Sequence, residues 1–401
     1  MKEKTLTLND LYRNDLPGNF NEFDILKNHW LRVIKLLEQD KLPPYEFIIH
    51  PTCICNLRCR WCIGQNVSTG CIESEAVEEK LSNPDNMLYV LKNICSYKKE
   101  ANFIQNNERV VDVYSVKNIS FSGLIGEPLM AKEAVLKGME FLVDNGIRTG
   151  IFTNGLLIDS KCVDVFSNIN YVLISLDAAK NDTYNFMKCN NSSIENNIDK
   201  IFQNISNIHD AKIRNHTNTD INVGYVVNEY NYNEISLAAQ QLKEIGVHYF
   251  RLKFDIAIKH KLNERQLEEV RKQIKYVHEY IDDDYFRLIE IHRMSEIVSS
   301  DQHRFFNKCF INKLYAAVGP DAYLYACNYH AKKGGIKHMS LLNNSFANVW
   351  NSFEHCDVKK CPEVCDPFKN RANNMLNILN DIYNRSGIVG IETYRRELLE
   401  K

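Results

Sequence analysis

What the chain lacks narrows its role first. No stretch of its 401 residues approaches the roughly 18 uninterrupted apolar residues that a membrane-spanning helix needs. The opening MKEKTLTLNDLYRNDLPGNF has no apolar core of signal-peptide length, so a cytoplasmic protein with no membrane contact is expected. An excess of one charge is missing too. The net charge is −2, which implies no nucleic-acid partner and no membrane surface. Neither an internal repeat nor a low-complexity segment stands out. At 44% hydrophobic and 25% charged the composition is that of an ordinary globular protein. A single core stops growing at roughly 250 to 300 residues, so two units are expected.

Cysteine, by contrast, is plentiful. Thirteen are present, and a reducing cytosol keeps thiols free and makes clustered ones metal-site candidates. Cys53, Cys55, Cys59, Cys62 and Cys71 lie early; Cys309, Cys327, Cys356, Cys361 and Cys365 lie late. Cys95, Cys162 and Cys189 are scattered and read as small buried apolar side chains.

The early group holds the most informative spacing. Cys55, Cys59 and Cys62 form C-x3-C-x2-C, with Asn56-Leu57-Arg58 between the first two and Trp61 before the third. Three soft thiolates on one short loop can hold three irons of a cubane cluster and leave the fourth open. A zinc knuckle would need a fourth ligand from Cys53, Cys71 or His50, and such sites usually come as two pairs. The apolar run Phe47-Ile48-Ile49, entering the loop like a buried parallel strand, favours iron and sulfur.

The rest of the chain supplies a scaffold. A helical stripe spans about 22–39 and stops before Pro43-Pro44; residues 72–117 are polar and irregular except for a helix near 85–96. From Asn118 strands and helices alternate. Strands are expected at 119–122, 150–152, 171–175, 221–227 and 249–253, with helices between them, one capped by Asp159 or Ser160. With the strand at Phe47 this makes six, a parallel sheet with helices outside.

In parallel barrels chemistry sits just after each strand. There the chain carries Gly123-Leu124-Ile125-Gly126-Glu127-Pro128, Thr153-Asn154-Gly155, Ser175-Leu176-Asp177 and Val227-Asn228, and then Arg251 and Lys253, one of which faces the barrel mouth. Taken singly, Asn154-Gly155 is a plain turn and Ser175 with Asp177 a helix-capping pair.

The cysteine loop resembles that of the radical SAM enzymes very specifically, and the resemblance runs over about residues 45–385. It implies a partial (β/α)6 TIM-type barrel, an α/β fold. It also implies a SAM-binding 4Fe-4S cluster on Cys55, Cys59 and Cys62, with S-adenosyl-L-methionine as cosubstrate and a flavodoxin- or ferredoxin-type reductant. Trp61, Gly126, Glu127, Asn154, Ser175, Asp177 and Val227 are the positions it assigns to SAM, with Glu127 receiving the ammonium. The turn at 123–128 is similar to the Gly-Gly-Glu-Pro motif of the family, with Ile125 in place of the first glycine.

A hairpin is expected where Leu314–Val318 and Tyr323–Cys327 flank Gly319-Pro320-Asp321-Ala322. With the later Cys361-Pro362-Glu363-Val364-Cys365 it resembles the SPASM or twitch extension of radical SAM enzymes. The twitch form, with one auxiliary 4Fe-4S cluster, suits the five late cysteines better. Cys309, Cys327, Cys361 and Cys365 are its expected ligands; Cys356 in place of Cys361, and a structural zinc in the same positions, stay open. The units expected are an N-terminal helical extension (1–44), the barrel (45–260), a connecting helical segment (261–300), the auxiliary-cluster domain of hairpin and helix (301–385) and a C-terminal tail (386–401).

The function this implies is a radical SAM oxidoreductase acting on a small-molecule or peptide substrate, foremost one that oxidises or epimerises a carbohydrate or aminocyclitol. A peptide-modifying maturase is the alternative, although the first 45 residues are few for a leader-binding domain. Epimerisation would need a hydrogen donor such as Cys53, Cys71 or Cys189. From another class, a non-catalytic iron-sulfur or zinc redox sensor would bind metal without cleaving SAM.

Overall fold

The computed structural model of the chain describes residues 25–26, 28–62, 76–105, 108–124, 126–188, 197–255, 262–291, 306–354, 358–361 and 365–399. Its strands are β1 (Glu46–Ile49), β2 (Lys99–Gln105), β3 (Glu108–Tyr114), β4 (Asn118–Phe121), β5 (Arg148–Thr153), β6 (Tyr171–Ser175), β7 (Asp220–Val227), β8 (Tyr249–Phe254), β9 (Arg287–Glu290), β10 (Tyr315–Val318), β11 (Tyr323–Tyr325) and β12 (Lys337–Ser340). All but β2 and β3 join one sheet, ordered β12-β11-β10-β1-β4-β5-β6-β7-β8-β9.

From β10 through β9 every neighbouring pair is parallel. The helices Lys132–Asp144, Ser160–Phe166, Asn197–Arg214 and Ile235–Glu244 lie between successive strands in the chain. They cover the sheet, which is why a strand such as Tyr171–Ser175 is buried along almost its whole length. Asp159 starts its helix as expected, its carboxylate accepting the Cys162 N–H at 3.0 Å. The connecting helix Glu264–Tyr280 opens with a capping box of Asn263 and Gln266. A seventh barrel strand follows it: β9 extends the sheet past the six strands expected.

The late hairpin does not stand apart. β10 pairs in parallel with β1, Glu46 against Tyr315 and Ile49 against Val318, so β10, β11 and β12 continue the barrel sheet on its β1 side. Helix Phe346–Ser352 then packs onto the barrel's own core: the Phe346 ring lies 5.5 Å and the Trp350 ring 6.5 Å from that of Phe47. The Trp350 indole N–H donates to the Leu42 carbonyl at 2.7 Å, so no polar atom of this large ring is left unpaired.

A second core joins the two chain ends. Helix Trp30–Leu37 meets the long helix Pro367–Leu399 through Val33, Leu37, Leu376, Leu379 and Ile391, with Phe310 between. The expected end of this helix near 383 is passed. Gly387 breaks it at φ +61°, one residue after the boundary set at 386, and it then resumes. Among the described residues no helix is long and apolar enough to cross a membrane.

Candidate active site

At the C-terminal ends of the parallel strands lies a cavity of about 380 Å³, where a barrel of this kind carries its chemistry. Cys55, Cys59, Trp61 and Cys62 form part of its wall. Their loop leaves β1 and is tied down by backbone hydrogen bonds: Glu127 N–H to Ile54 at 2.8 Å, Arg58 N–H to Lys188 at 3.0 Å and Arg60 N–H to Met187 at 3.0 Å. Arg60 also stacks its guanidinium 4.1 Å from the centre of the Phe186 ring. Gly126 is required where the two loops cross. A Cβ there would stand 2.1 Å from the Thr52 carbonyl oxygen, so only glycine lets the backbone come this close.

The three thiols repel charge in one another. Burial first, then Glu127 and Cys62, push Cys55 up to about 11; burial pushes Cys59 up further, against the pull of Lys188. As free thiols Cys55 and Cys59 stay protonated at neutral pH, and a bound metal would displace those protons. Among the described residues no three His, Cys, Asp or Glu side chains are grouped for a single metal ion. A four-iron cube gives each thiolate its own iron and asks for wider spacing. Three soft donors on one loop, opening on a cavity, fit such a group.

Glu127 is buried, 3% exposed. Its carboxylate accepts from the Thr153 hydroxyl at 2.6 Å, the Asn154 N–H at 2.8 Å and the Leu129 N–H at 3.1 Å. Burial raises its pKa while these donors pull it down. Among the described residues Oε2 accepts only the Asn154 N–H and so keeps room for one further donor. Asn154 donates to the Asn56 side-chain oxygen at 2.8 Å and closes its own turn by accepting the Leu156 N–H. The plain-turn account of Asn154 and its place on the cavity wall thus hold together.

Asp177, in left-handed backbone at φ +63°, pairs with Lys188 at 2.8 Å and accepts the Val226 N–H at 2.7 Å. Lys188, 2% exposed in its side chain, also donates to the Ser175 carbonyl at 2.5 Å. Sequence reading missed it. The burial of Tyr184, Met187 and Lys188 on one face of their helix shows a lysine standing where an apolar residue is the rule. Ser175 lines the cavity as expected. Val227 does not: it is 1% exposed in the main core, and Gly224, Tyr225 and Val226 are the β7 residues on the cavity.

β8 brings a polar side chain to the wall. Arg251 and Lys253 share one face of β8, because strand side chains alternate. Lys253 reaches the cavity and Arg251 lies buried one step deeper. Asn328, Tyr329 and Asp366 also line the cavity, and they directly follow Cys327 and Cys365; the Tyr329 ring packs against Cys53 and Leu124. Asn328 accepts from the Lys369 ammonium at 2.5 Å. Burial raises Cys327 and pushes Cys365 up to about 12, and Cys361 adds to both, so these three are in electrostatic reach of one another. Cys309 sits half-buried against the second core.

His50, named in sequence only as a zinc ligand, lines the cavity with Nδ1 accepting the Leu124 N–H at 3.1 Å. Cys53 packs against Leu124 with its sulfur accepting the Val77 N–H, and burial pushes it up to about 11. It is not among the cavity residues, which removes it as a hydrogen donor to a ligand there. Ile125, Cys71, Cys189 and Cys356 lie outside the described residues.

A family model, the radical SAM superfamily, matches residues 49–236. The S-adenosylmethionine-dependent nucleotide dehydratase of Fibrobacter sp. (strain UWH6) is 25% identical over 188 residues, 46% of this chain and 48% of that protein. The chain thus matches about half the length of this relative. SuiB of Streptococcus suis bound to S-adenosylmethionine aligns with 82% of this chain and 69% of its own at TM-score 0.55 and 15% identity; bound to precursor peptide SuiA, it aligns with 86% and 75% at 0.55 and 15%. Native anSMEcpe with bound AdoMet aligns with 77% and 81% at 0.52 and 16%. At such identities the likeness to the solved structures is one of fold.

Proposed function

We propose that the chain, which the radical SAM superfamily model matches over residues 49–236, is a radical SAM enzyme that takes a hydrogen atom from a sugar carbon of a small polar substrate held in the cavity. When bound, the group on Cys55, Cys59 and Cys62 supplies the radical by cleaving SAM, and a second cluster on the late cysteines supplies an electron acceptor beside the substrate. One observation carries the reading. The three early cysteines and the residues just after Cys327 and Cys365 line the same cavity, which supports a substrate held between the two cysteine groups.

The chain's own residues position and shield. Glu127, held by three donors, offers its remaining lone pair on Oε2 to the SAM ammonium. Trp61, Gly126, Asn154 and Ser175 form the rest of the SAM side, and Asp177, already spent on Lys188 and Val226, braces it. Elsewhere on the cavity wall Lys253, Asn328, Tyr329 and Asp366 present donors and acceptors suited to hydroxyl groups. Cys309, Cys327, Cys361 and Cys365 hold the second cluster in a twitch-like unit, and a flavodoxin- or ferredoxin-type protein delivers the electron.

A sugar unites the carbohydrate reading with the nucleotide named for the Fibrobacter relative, since a nucleotide also carries hydroxyl-bearing ring carbons. Loss of hydrogen there leads to oxidation, epimerisation or dehydration. A peptide is the second reading, supported by the SuiB structure with its precursor peptide. The test is anaerobic turnover with ring-deuterated nucleotides and sugars and with deuterated peptides, following deuterium into 5'-deoxyadenosine. Transfer from a sugar ring supports the proposal; transfer from peptides alone refutes it.

A further inference from the structure

We propose that Lys253 anchors an anionic group, a phosphate or a carboxylate, of the molecule that reacts in the cavity; this rests on the reading above and narrows its substrate class. Lys253 sits near the C-terminal end of β8 and lines the cavity. The residues kept on the SAM side lie on the β1 loop and at the ends of β4 to β6, and β8 stands two strands further along the sheet, which leaves it for the substrate.

Its charge has no direct partner among the described residues, although Asp366 and Asp177 stabilise it from a distance. Among the described residues its ammonium takes part in no hydrogen bond or ion pair. The nearest carboxylates are engaged elsewhere: Asp177 with Lys188 and the Val226 N–H, and Asp366 with the Tyr329 hydroxyl and the Lys369 N–H. Two further cations, Arg251 and Lys369, act on it electrostatically. Burial, and after it Arg251, push Lys253 down to about 8. A lysine in that position is stabilised most by an oxyanion that makes charge-assisted hydrogen bonds to it. Asn328 and Tyr329 line the same cavity, so an anion held by Lys253 would share one space with the polar groups that follow Cys327.

The test uses anaerobic protein with its iron intact, as wild type, Lys253→Met and Lys253→Arg. Calorimetric titrations with inorganic pyrophosphate and with glucuronate stand in for the two anion sources, and SAM is titrated separately. Wild type should bind one of the probes; Lys253→Met should weaken it by about tenfold or more, and Lys253→Arg by about threefold at most. SAM affinity should stay as in wild type in both variants. Response to pyrophosphate alone assigns a phosphate, to glucuronate alone a carboxylate. Wild type that binds neither probe, or Lys253→Met that binds them as wild type does, overturns the proposal. Loss of SAM with the probes unaffected also overturns it, since Lys253 would then hold the SAM carboxylate. So does loss of both that arginine fails to rescue. Wild type that binds a probe but no SAM would instead sink the radical SAM reading and leave the anion site standing.

Discussion

Lys188→Met is the most revealing single change to the scaffold of the cavity. In the native protein the Lys188 and Asp177 side chains are 2% and 6% exposed and 2.8 Å apart, and the ammonium also binds the Ser175 carbonyl. Methionine fills most of the space of lysine but removes the charge, so Asp177 is left as a buried carboxylate with only the Val226 N–H. Breaking a buried pair from one side costs about 3–5 kcal/mol, against a total of about 5–15 kcal/mol for a typical domain. The double variant Lys188→Met with Asp177→Asn removes both charges, and its amide oxygen can still accept the Val226 N–H. It should recover about 1–3 kcal/mol of that loss. Urea unfolding followed by circular dichroism measures all four corners of the cycle. A single variant within about 1 kcal/mol of wild type, or a double variant no more stable than the single, refutes the reasoning.

Glu127→Ala should raise the SAM dissociation constant about ten- to hundredfold with iron content unchanged; unchanged affinity would mean that the carboxylate serves only Thr153, Asn154 and Leu129. Acid should weaken the fold through its buried histidines. Burial lowers His29 to about 3 and His50 to about 4, from an ordinary 6.5. The unfolded chain therefore takes up protons first as pH falls, and the stability these neutral rings contribute is full above 6.5 and lost on the way down to about 4. Each should cost about 2 kcal/mol at pH 5, read as a lower urea midpoint at pH 5 than at pH 7 that shrinks in His50→Phe; equal midpoints at the two values would contradict it.

The barrel was legible because its signals are local. Apolar runs such as Tyr171–Ser175, caps such as Asp159 and the cysteine spacing all depend on neighbours in sequence. The β2–β3 hairpin was missed although Asn106-Asn107 is a turn signal, because charged residues interrupt the strands on either side. Pairing of β10 with β1 could not be read, since a contact across some 270 residues (46 against 315) leaves no mark on either short apolar run. Period two in β8 puts Arg251 and Lys253 on one face, and of the two Lys253, nearer the strand's C-terminal end, is the one that lines the cavity. Val227 lies in the core, and Gly224, Tyr225 and Val226 are the β7 residues on the cavity. Lys188 shows the opposite limit: its partner Asp177 lies on another element, and only the fold brings the two together.

Anaerobic reconstitution of wild type and of the variant with Cys55, Cys59 and Cys62 all changed to Ala, with iron, zinc and 5'-deoxyadenosine measured on both, bears most directly on the central claim. Wild type should hold about eight irons and cleave SAM, while the variant should keep about four on the late cysteines and release no 5'-deoxyadenosine. Continued cleavage by the triple variant would contradict the assignment of the early cysteines, and about four irons with stoichiometric zinc in wild type would contradict the second cluster.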